Sequence, residues 1–485
     1  MKNLFRELNL EIAIDDYGTG YSNVSNLLRY MPNYVKIDRM LLSGIDSKPQ
    51  KQHFVSEIIK FCRDNDIMSL AEGIETREEM RTVIHMGVDL IQGYYTAKPS
   101  ADIIPRINEM VRNEINAFYQ ERQDGTDKRI HMAGSTNRIS LGMLYRDGYT
   151  DISVGDENAV YKDIAIIGSP GLNTDMHMQI LPGYTGAITL ENVVFSNIKG
   201  RPCIDIGENC DVTLRLQGEN LLRGIGIRVP QGSRLIIVGD GNLRVEINYP
   251  RYYGIGNDEE ERHGEILFDQ DGKISIKASG QEGIGIGSGL GGQIKIERGQ
   301  YELRCGGVSC VGIGAIKGDS RFQICSCMFE AEVNAERCVG AGSLEGSAGL
   351  YVSKSTLNLM SSADVAAGIG TINGTDSDIL IADSRVNISL RADESTCIGA
   401  VHGRTDLAMD HSSGYLENAG DAALIFGGIE QITRLNMDKA DVKSETHTKL
   451  GRDTYAEGED IRIFDGRMRC MVNDKEVERK PVFSN

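Results

Sequence analysis

One pattern constrains this chain more than any other. A short glycine-bracketed unit recurs as Gly224-Ile-Gly226, Gly254-Ile-Gly256, Gly283-Ile-Gly285, Gly312-Ile-Gly314, Gly340-Ala-Gly342 and Gly368-Ile-Gly370, and Ile398-Gly-Ala400 continues the series. From first glycine to first glycine the intervals are 30, 29, 29, 28 and 28, then 31 to Gly399. A period in the high twenties, with several short strands per unit, is the signature of a β-solenoid, read here as a right-handed parallel β-helix. The strands show as alternating runs, such as Lys273-Ile-Ser-Ile-Lys277, Gly292-Gln-Ile-Lys-Ile-Glu297 and Ser377-Asp-Ile-Leu-Ile381. Period-two alternation sends one set of side chains inward and the other to solvent. A single coil cannot cover its own edges, so it buries apolar surface only when the next coil stacks on it. The Gly-Ile-Gly unit is expected to put isoleucine inside, with glycine where neighbouring backbones turn or approach closely.

Less regular coils are expected upstream, at Asp163-Ile-Ala-Ile-Ile-Gly168 and Ala187-Ile-Thr-Leu-Glu-Asn-Val-Val-Phe195. At the other end, Asp460–Phe464 and Met468–Asn473 are expected to form a terminal hairpin or cap. The solenoid carries no sign of catalysis, because no acid recurs at a fixed offset from the glycines. Asn257-Asp-Glu-Glu-Glu-Arg262 reads as a solvated loop. Sugar-binding surfaces use aromatic platforms; the chain has no Trp, and only Tyr252-Tyr253 offers a weak candidate. The region reads as an interaction or scaffold module. Cys325 and Cys327 are two apart, which on one strand places them on the same side. With ten cysteines and no secretion signal, buried reduced thiols are expected.

Most of the 56 glycines follow residue 190, so the beginning of the chain is built differently. Four strand–helix pairs can be read there in order. Strand Glu11–Ile14 precedes a helix near Ser22–Arg29. Strand Tyr34–Ile37 precedes a helix over about Gln52–Asp64, with Phe54, Ile58, Ile59 and Cys62 at helical spacing. Strand Ile67–Ala71 precedes a helix opened by the capping-box pattern Thr76-Arg-Glu-Glu79 and carried by Met80, Val83 and Ile84. Strand Asp89–Gln92 precedes a helix from about Ala101, with Ile104, Ile107, Met110, Val111 and Ile115. Alternating βα units of this length call for a parallel sheet.

The strand ends carry polar residues: Asp15 and Asp16, Lys36 and Asp38, Glu72 and Glu75, then Gln92. In a (β/α) barrel this is the face where chemistry is built. Two adjacent carboxylates leaving one strand repel unless a cation lies between them, which points to a hard divalent metal. The same pair taken alone also fits an Asx turn and a helix N-cap.

Four stretches together resemble the second half of an EAL domain: Asp15-Asp-Tyr-Gly-Thr-Gly-Tyr-Ser22, Val35-Lys-Ile-Asp-Arg39, Ala71-Glu-Gly-Ile-Glu-Thr76 and Gln92-Gly-Tyr-Tyr-Thr-Ala-Lys-Pro99. That family comprises TIM-barrel phosphodiesterases that hydrolyse cyclic di-GMP. The resemblance covers about a quarter of the chain and implies a specific division of labour. Asp15, Asp16 and Glu72 resemble ligands of Mg2+ or Mn2+. Lys36 resembles the lysine that holds or deprotonates the attacking water, and Glu75 and Gln92 resemble residues that orient lysine and water. Asp16–Tyr21 resembles a loop that couples dimerisation to metal binding. The implied reaction is metal-assisted attack of water on a phosphodiester, giving linear pGpG.

The family's Glu-Ala-Leu signature and two further metal ligands precede the Asp-Asp motif, and Met1 begins after them. The expectation is therefore a partial barrel of about four βα units, incomplete or inactive as a phosphodiesterase in this chain. A truncated gene, a scaffold remnant, or completion by a partner, either a homodimer or an upstream half barrel, would each explain it. The alternative function is a non-catalytic interaction or scaffold protein whose β-helix binds a partner or carbohydrate. A net charge of −18 and a pI near 5.0 argue against binding DNA, RNA or anionic membranes, though not against cyclic di-GMP held through a metal. No stretch of 18 apolar residues occurs and Met1-Lys-Asn-Leu-Phe-Arg6 lacks the apolar core of a signal peptide, so a cytoplasmic location is expected. The expected fold class is multidomain: an α/β partial TIM barrel over 1–122, a linker over 123–130, an all-β solenoid with coils of about 29 residues over 131–445, and a cap over 446–485.

Overall fold

A computed structural model describes residues 12–18, 27, 29–30, 32–65, 67–100, 107–125, 130–169, 171–247, 252–428, 433–449, 460–464 and 466–478. Contacts divide the chain into two compact units, residues 1–128 with 171–173, and residues 129–170 with 174–485.

The first unit is a four-stranded parallel sheet in sequential order, β1 (Ala13–Tyr17), β2 (Tyr34–Ile37), β3 (Met68–Glu72) and β4 (Leu90–Gln92). Its helices are α1 (Arg39–Leu42), α2 (Pro49–Asp64), α3 (Arg77–Met86) and α4 (Glu109–Gly125). β1 runs through Asp15 and Asp16 rather than stopping before them. The expected helix near Ser22–Arg29, and Ala101 and Ile104 of the last expected helix, lie largely outside the described residues. The capping box forms as read: the Thr76 hydroxyl accepts from the Glu79 N–H at 3.1 Å, and the Glu79 carboxylate accepts from the Thr76 N–H at 3.1 Å. Val35, Ile37, Ile59, Cys62, Ala71, Met80 and Val83 form the core. Two expectations of burial fail. Phe54 is 53% exposed, because the buried stripe of α2 is Val55, Ile58, Ile59 and Cys62. On the last helical stretch, Val111 is buried while Ile107 and Met110 are exposed. No helix among the described residues is long and apolar enough to cross a membrane.

The second unit is a β-solenoid of about 11 turns. Its first strands, Ile130–Met132, Asp151–Val154 and His177–Ile180, already pair in parallel. Each regular coil contributes three paired stretches. Within the long strand Gln293–Ala315, Ile294 pairs with Phe322, Tyr301 with Phe329 and Ile313 with Ala341, each 28 residues on. Tyr301 lies edge-on to Phe268 at 5.5 Å and stacks on Phe329 at 6.3 Å, so aromatic rings run through three coils.

The glycine register differs from the simple count. Ile255 pairs with Ile286 and Gly256 with Gly287, so the equivalent of Gly254-Ile-Gly256 is Gly285-Ile-Gly287, not Gly283-Ile-Gly285. Likewise Ile227 pairs with Ile255, which displaces Gly224-Ile-Gly226 by two residues. A doubled Gly-Ile-Gly-Ile-Gly run keeps the pleat after a two-residue slip, so spacing alone cannot choose between the two alignments. Ile286, Ile313, Ala341, Ile369 and Ile398 are fully buried. Ile284, Val311, Val339 and Ala367 instead join Ile316, Leu344, Ile372 and Val401 in a separate apolar seam.

Other local readings change with the coil geometry. Ser326, at φ 47°, turns the chain between Cys325 and Cys327, so the two thiols belong to different strands. All ten cysteines are free, and nine of them are buried. Tyr253 is 1% exposed and offers no platform. In the loop that follows, Asn257 is buried and Glu259 pairs with Lys317 at 2.8 Å. Asp460–Phe464 and Arg467–Val472 both extend the parallel stack, on Thr433–Asp438 and Asp441–Thr448. The antiparallel hairpin closes between Arg467–Val472 and Lys475–Glu478.

A buried histidine gives this unit an acid-sensitive point. His263 Nδ1 lies 2.7 Å from the Gly264 carbonyl, while its Nε2 is buried without a hydrogen-bond partner. Burial pushes the imidazole down from 6.5 to about 4. Between those values the unfolded chain takes up a proton that the folded chain refuses, so stability falls as pH drops from 6.5 towards 4. His263→Gln should flatten the dependence of the urea midpoint on pH in that window. An unchanged slope would assign the acid sensitivity to other groups.

Candidate functional site

The polar groups of the first unit gather at the C-terminal ends of its strands. β1 pairs with β2 through Ile14–Val35 and Tyr17–Ile37, so three steps on β1 span two on β2. This bulge falls on Asp15 and Asp16, and Asp16 adopts φ 50°, a left-handed conformation that aspartate tolerates. The extra residue breaks the alternation that would send adjacent side chains to opposite faces. One oxygen from each of Asp15, Asp16 and Glu72 lies within 4.8 Å of the others.

Lys36 joins two of the three. Its ammonium lies 2.7 Å from Asp15 Oδ1 and 3.0 Å from Glu72 Oε1. The Lys36 hydrogen bond holds the Asp15 carboxyl below its usual range. In return, the hydrogen bond to Asp15, with Glu72 adding to it, raises Lys36 above the usual lysine value against the effect of its own partial burial. Among the described residues, Glu72 Oε2 is buried and has no hydrogen-bond partner. An oxygen in that position suits a cation, since leaving a buried acceptor unpaired costs about 1–3 kcal/mol.

The remaining candidates are arranged differently. Glu75 pairs with Arg39 at 2.7 Å rather than with Lys36. Gln92 stands beside Glu72 in the β3–β4 register, with its side chain exposed. Asp38 caps α1, its Oδ1 accepting from the Met40 N–H at 2.7 Å, and so works as structure. Arg39 is the residue that sequence reasoning passed over. Only its place in Val35-Lys-Ile-Asp-Arg39, after a strand end among acids, pointed to it.

Residues 1–99 match the EAL domain family. Over 92 residues the chain is 34% identical to the probable cyclic di-GMP phosphodiesterase PdeN of Escherichia coli K12, covering 19% of this chain and 18% of that protein. Over 95 residues it is 32% identical to the cyclic di-GMP phosphodiesterase PdeR of the same organism, covering 20% of this chain and 14% of that protein. The chain thus spans less than a fifth of the length of either relative. Among solved structures, it is similar to a standalone EAL protein from Vibrio cholerae O395 in its c-di-GMP-bound form, at 36% identity. That likeness covers 22% of this chain and 45% of that one, with a TM-score of 0.21. It is also similar to Klebsiella pneumoniae BlrP1 in a calcium and cyclic di-GMP complex, at 35% identity over 22% of this chain and 27% of that one, with a TM-score of 0.21. The first 99 residues of the chain are an EAL-domain segment, and a β-solenoid follows it.

Proposed function

We propose that the EAL segment supplies the metal-holding wall of a cyclic di-GMP phosphodiesterase site and that the solenoid is its sensor or partner-binding module. The observation that carries this reading is the gathering of the Asp15, Asp16 and Glu72 oxygens within 4.8 Å, one of the three carboxylates keeping a buried, unpartnered oxygen. Relatives of this segment bear the name cyclic di-GMP phosphodiesterase, which supplies the substrate. Asp15, Asp16 and Glu72 would hold Mg2+ or Mn2+. A bound ion of that kind polarises a phosphoryl oxygen and lowers the pKa of water, which suits hydrolysis of cyclic di-GMP to linear pGpG. Lys36, held protonated by its two carboxylates, would position water or a phosphate oxygen as a donor. Glu75 and Gln92 would orient that lysine and water once Glu75 leaves Arg39.

A second reading is a non-catalytic one, in which the segment binds metal or nucleotide and the solenoid carries the function. The Glu75–Arg39 pair and the 65% exposure of the Asp15 side chain favour it for the chain in this state. Turnover by this chain is accordingly expected to be slight. The test is Mn2+ binding by calorimetry on the 485-residue chain, followed by cyclic di-GMP hydrolysis. Asp15→Asn is expected to weaken Mn2+ binding by at least about tenfold, as replacing a charged carboxylate ligand by a neutral amide should. Unchanged Mn2+ affinity in that variant would remove the metal site, and with it the phosphodiesterase reading. Robust turnover lost in the variant would remove the non-catalytic one.

A further inference from the structure

We propose that Glu445, His447 and Asp474 form a separate site for one Zn2+-class cation at the hairpin end of the solenoid. Glu445 and His447 stand two residues apart on the strand Asp441–Thr448, so their side chains leave the same face. Asp474 comes from the two-residue turn that joins Arg467–Val472 to Lys475–Glu478, the antiparallel hairpin. Asn473 and Asp474 both adopt positive φ, 47° and 61°, as a tight hairpin turn requires.

The turn does not hang free. The Asn473 N–H donates to the Thr446 carbonyl at 2.9 Å, and its side-chain amide donates to the Thr448 carbonyl at 2.9 Å. The Thr448 N–H donates back to Asn473 Oδ1 at 2.9 Å. These bonds fix Asp474 beside the strand, and one ligand atom from each of the three residues lies within 4.8 Å of the other two. The Tyr415 hydroxyl donates to Glu445 Oε2 at 3.1 Å, while Oε1 stands 3.4 Å from His447 Nε2. Among the described residues, neither Glu445 nor Asp474 has a lysine or arginine partner. Two carboxylates brought together with one imidazole as their basic neighbour leave a local excess of negative charge that a cation offsets.

The donor set chooses the cation. One imidazole nitrogen and two carboxylates match a borderline-soft ion that accepts four ligands, with the fourth position left to solvent. Mg2+ and Ca2+ prefer six or more oxygens and gain little from imidazole. Bound there, the ion would link the hairpin turn to the parallel strand beside it and pin the end of the stack.

The test uses the full chain after chelator treatment, titrated with Zn2+ by calorimetry and with Co2+ by visible absorption. In the Asp16→Asn background, which disables the other carboxylate cluster, one equivalent is expected to bind, with a Co2+ spectrum of tetrahedral type and no thiolate charge-transfer band, which separates the site from the cysteines. His447→Gln and Asp474→Asn should each weaken Zn2+ binding by at least about tenfold. Millimolar Mg2+ should not compete. Far-UV dichroism matching the parent would confirm that the variants fold. Absence of Zn2+ binding in the parent chain, or parental affinity in His447→Gln, would overturn the proposal.

Discussion

Gly314→Ala is expected to destabilise the solenoid by roughly 4 kcal/mol or more, an exceptional cost for adding one methyl group. Gly314 has φ +136°, and a Cβ built there would lie 1.8 Å from the carbonyl oxygen of Gly342 in the next coil. That oxygen cannot yield easily, because it also accepts the Ser320 hydroxyl at 2.8 Å. The same contact recurs along the stack: the corresponding distances at Gly256, Gly287, Gly342 and Gly370 are 1.7, 1.9, 1.8 and 1.8 Å. Gly306, on the same strand, is the control. Its Cβ would meet nothing closer than the Asn334 carbonyl at 3.5 Å, so Gly306→Ala should change stability by less than about 1 kcal/mol. Urea unfolding gives the difference between the two variants. Hydrogen exchange shows where it falls, since a solenoid is coupled mainly to nearest neighbours and should lose protection first in the coils flanking Gly314. Equal midpoints for the two variants would mean that the close approach tolerates a side chain.

The same glycines show what could and could not be read from the residues. Their period announced stacked coils, because glycine at a fixed interval is what a repeated backbone contact demands. The alignment of coils was less legible. Gly283-Ile-Gly-Ile-Gly287 satisfies the pleat in two registers, and only pairing with Tyr252–Gly256 selects one. Cys325 and Cys327 failed for a related reason. A single left-handed residue between them ends one strand and starts another, and serine is not a residue that announces such a turn.

In the EAL segment, legibility followed the strand order. Asp15, Asp16, Lys36, Glu72 and Gln92 could be placed at one end of a parallel sheet, because alternating strands and helices leave few topologies open. The bulge that turns Asp15 and Asp16 towards Glu72 was not visible, since a bulge is set by pairing with the neighbouring strand. The competition for Glu75 was hidden for the same reason. Arg39 and Glu75 are 36 residues apart and meet only once β2 and β3 are side by side.

Lys36→Met should tighten Mn2+ binding by about tenfold while reducing any cyclic di-GMP hydrolysis, so that one substitution moves two readouts in opposite directions. The ammonium holds the same oxygens a metal would use, Asp15 Oδ1 and Glu72 Oε1. Removing one positive charge a few ångströms from a divalent ion relieves repulsion worth a few kcal/mol at an effective dielectric near 20. The 65% exposure of the Asp15 side chain calls for a strong reduction of that value, to about the 1.4 kcal/mol that tenfold represents. The raised pKa of Lys36 also fixes its protonation. The stabilisation it gives is fully present below the ordinary lysine value and is lost only as pH rises through the higher folded one, so at neutral pH it stays an ammonium. It therefore cannot take a proton from water while both carboxylates remain charged. A cation on those carboxylates would take two acceptors from the ammonium and free it to donate to water or a phosphate oxygen. Lys36→Arg separates the two effects. It keeps the charge, so Mn2+ affinity should stay near the parent's, while the larger guanidinium should still impair turnover. Parental Mn2+ affinity in Lys36→Met would show that ammonium and metal do not share these oxygens.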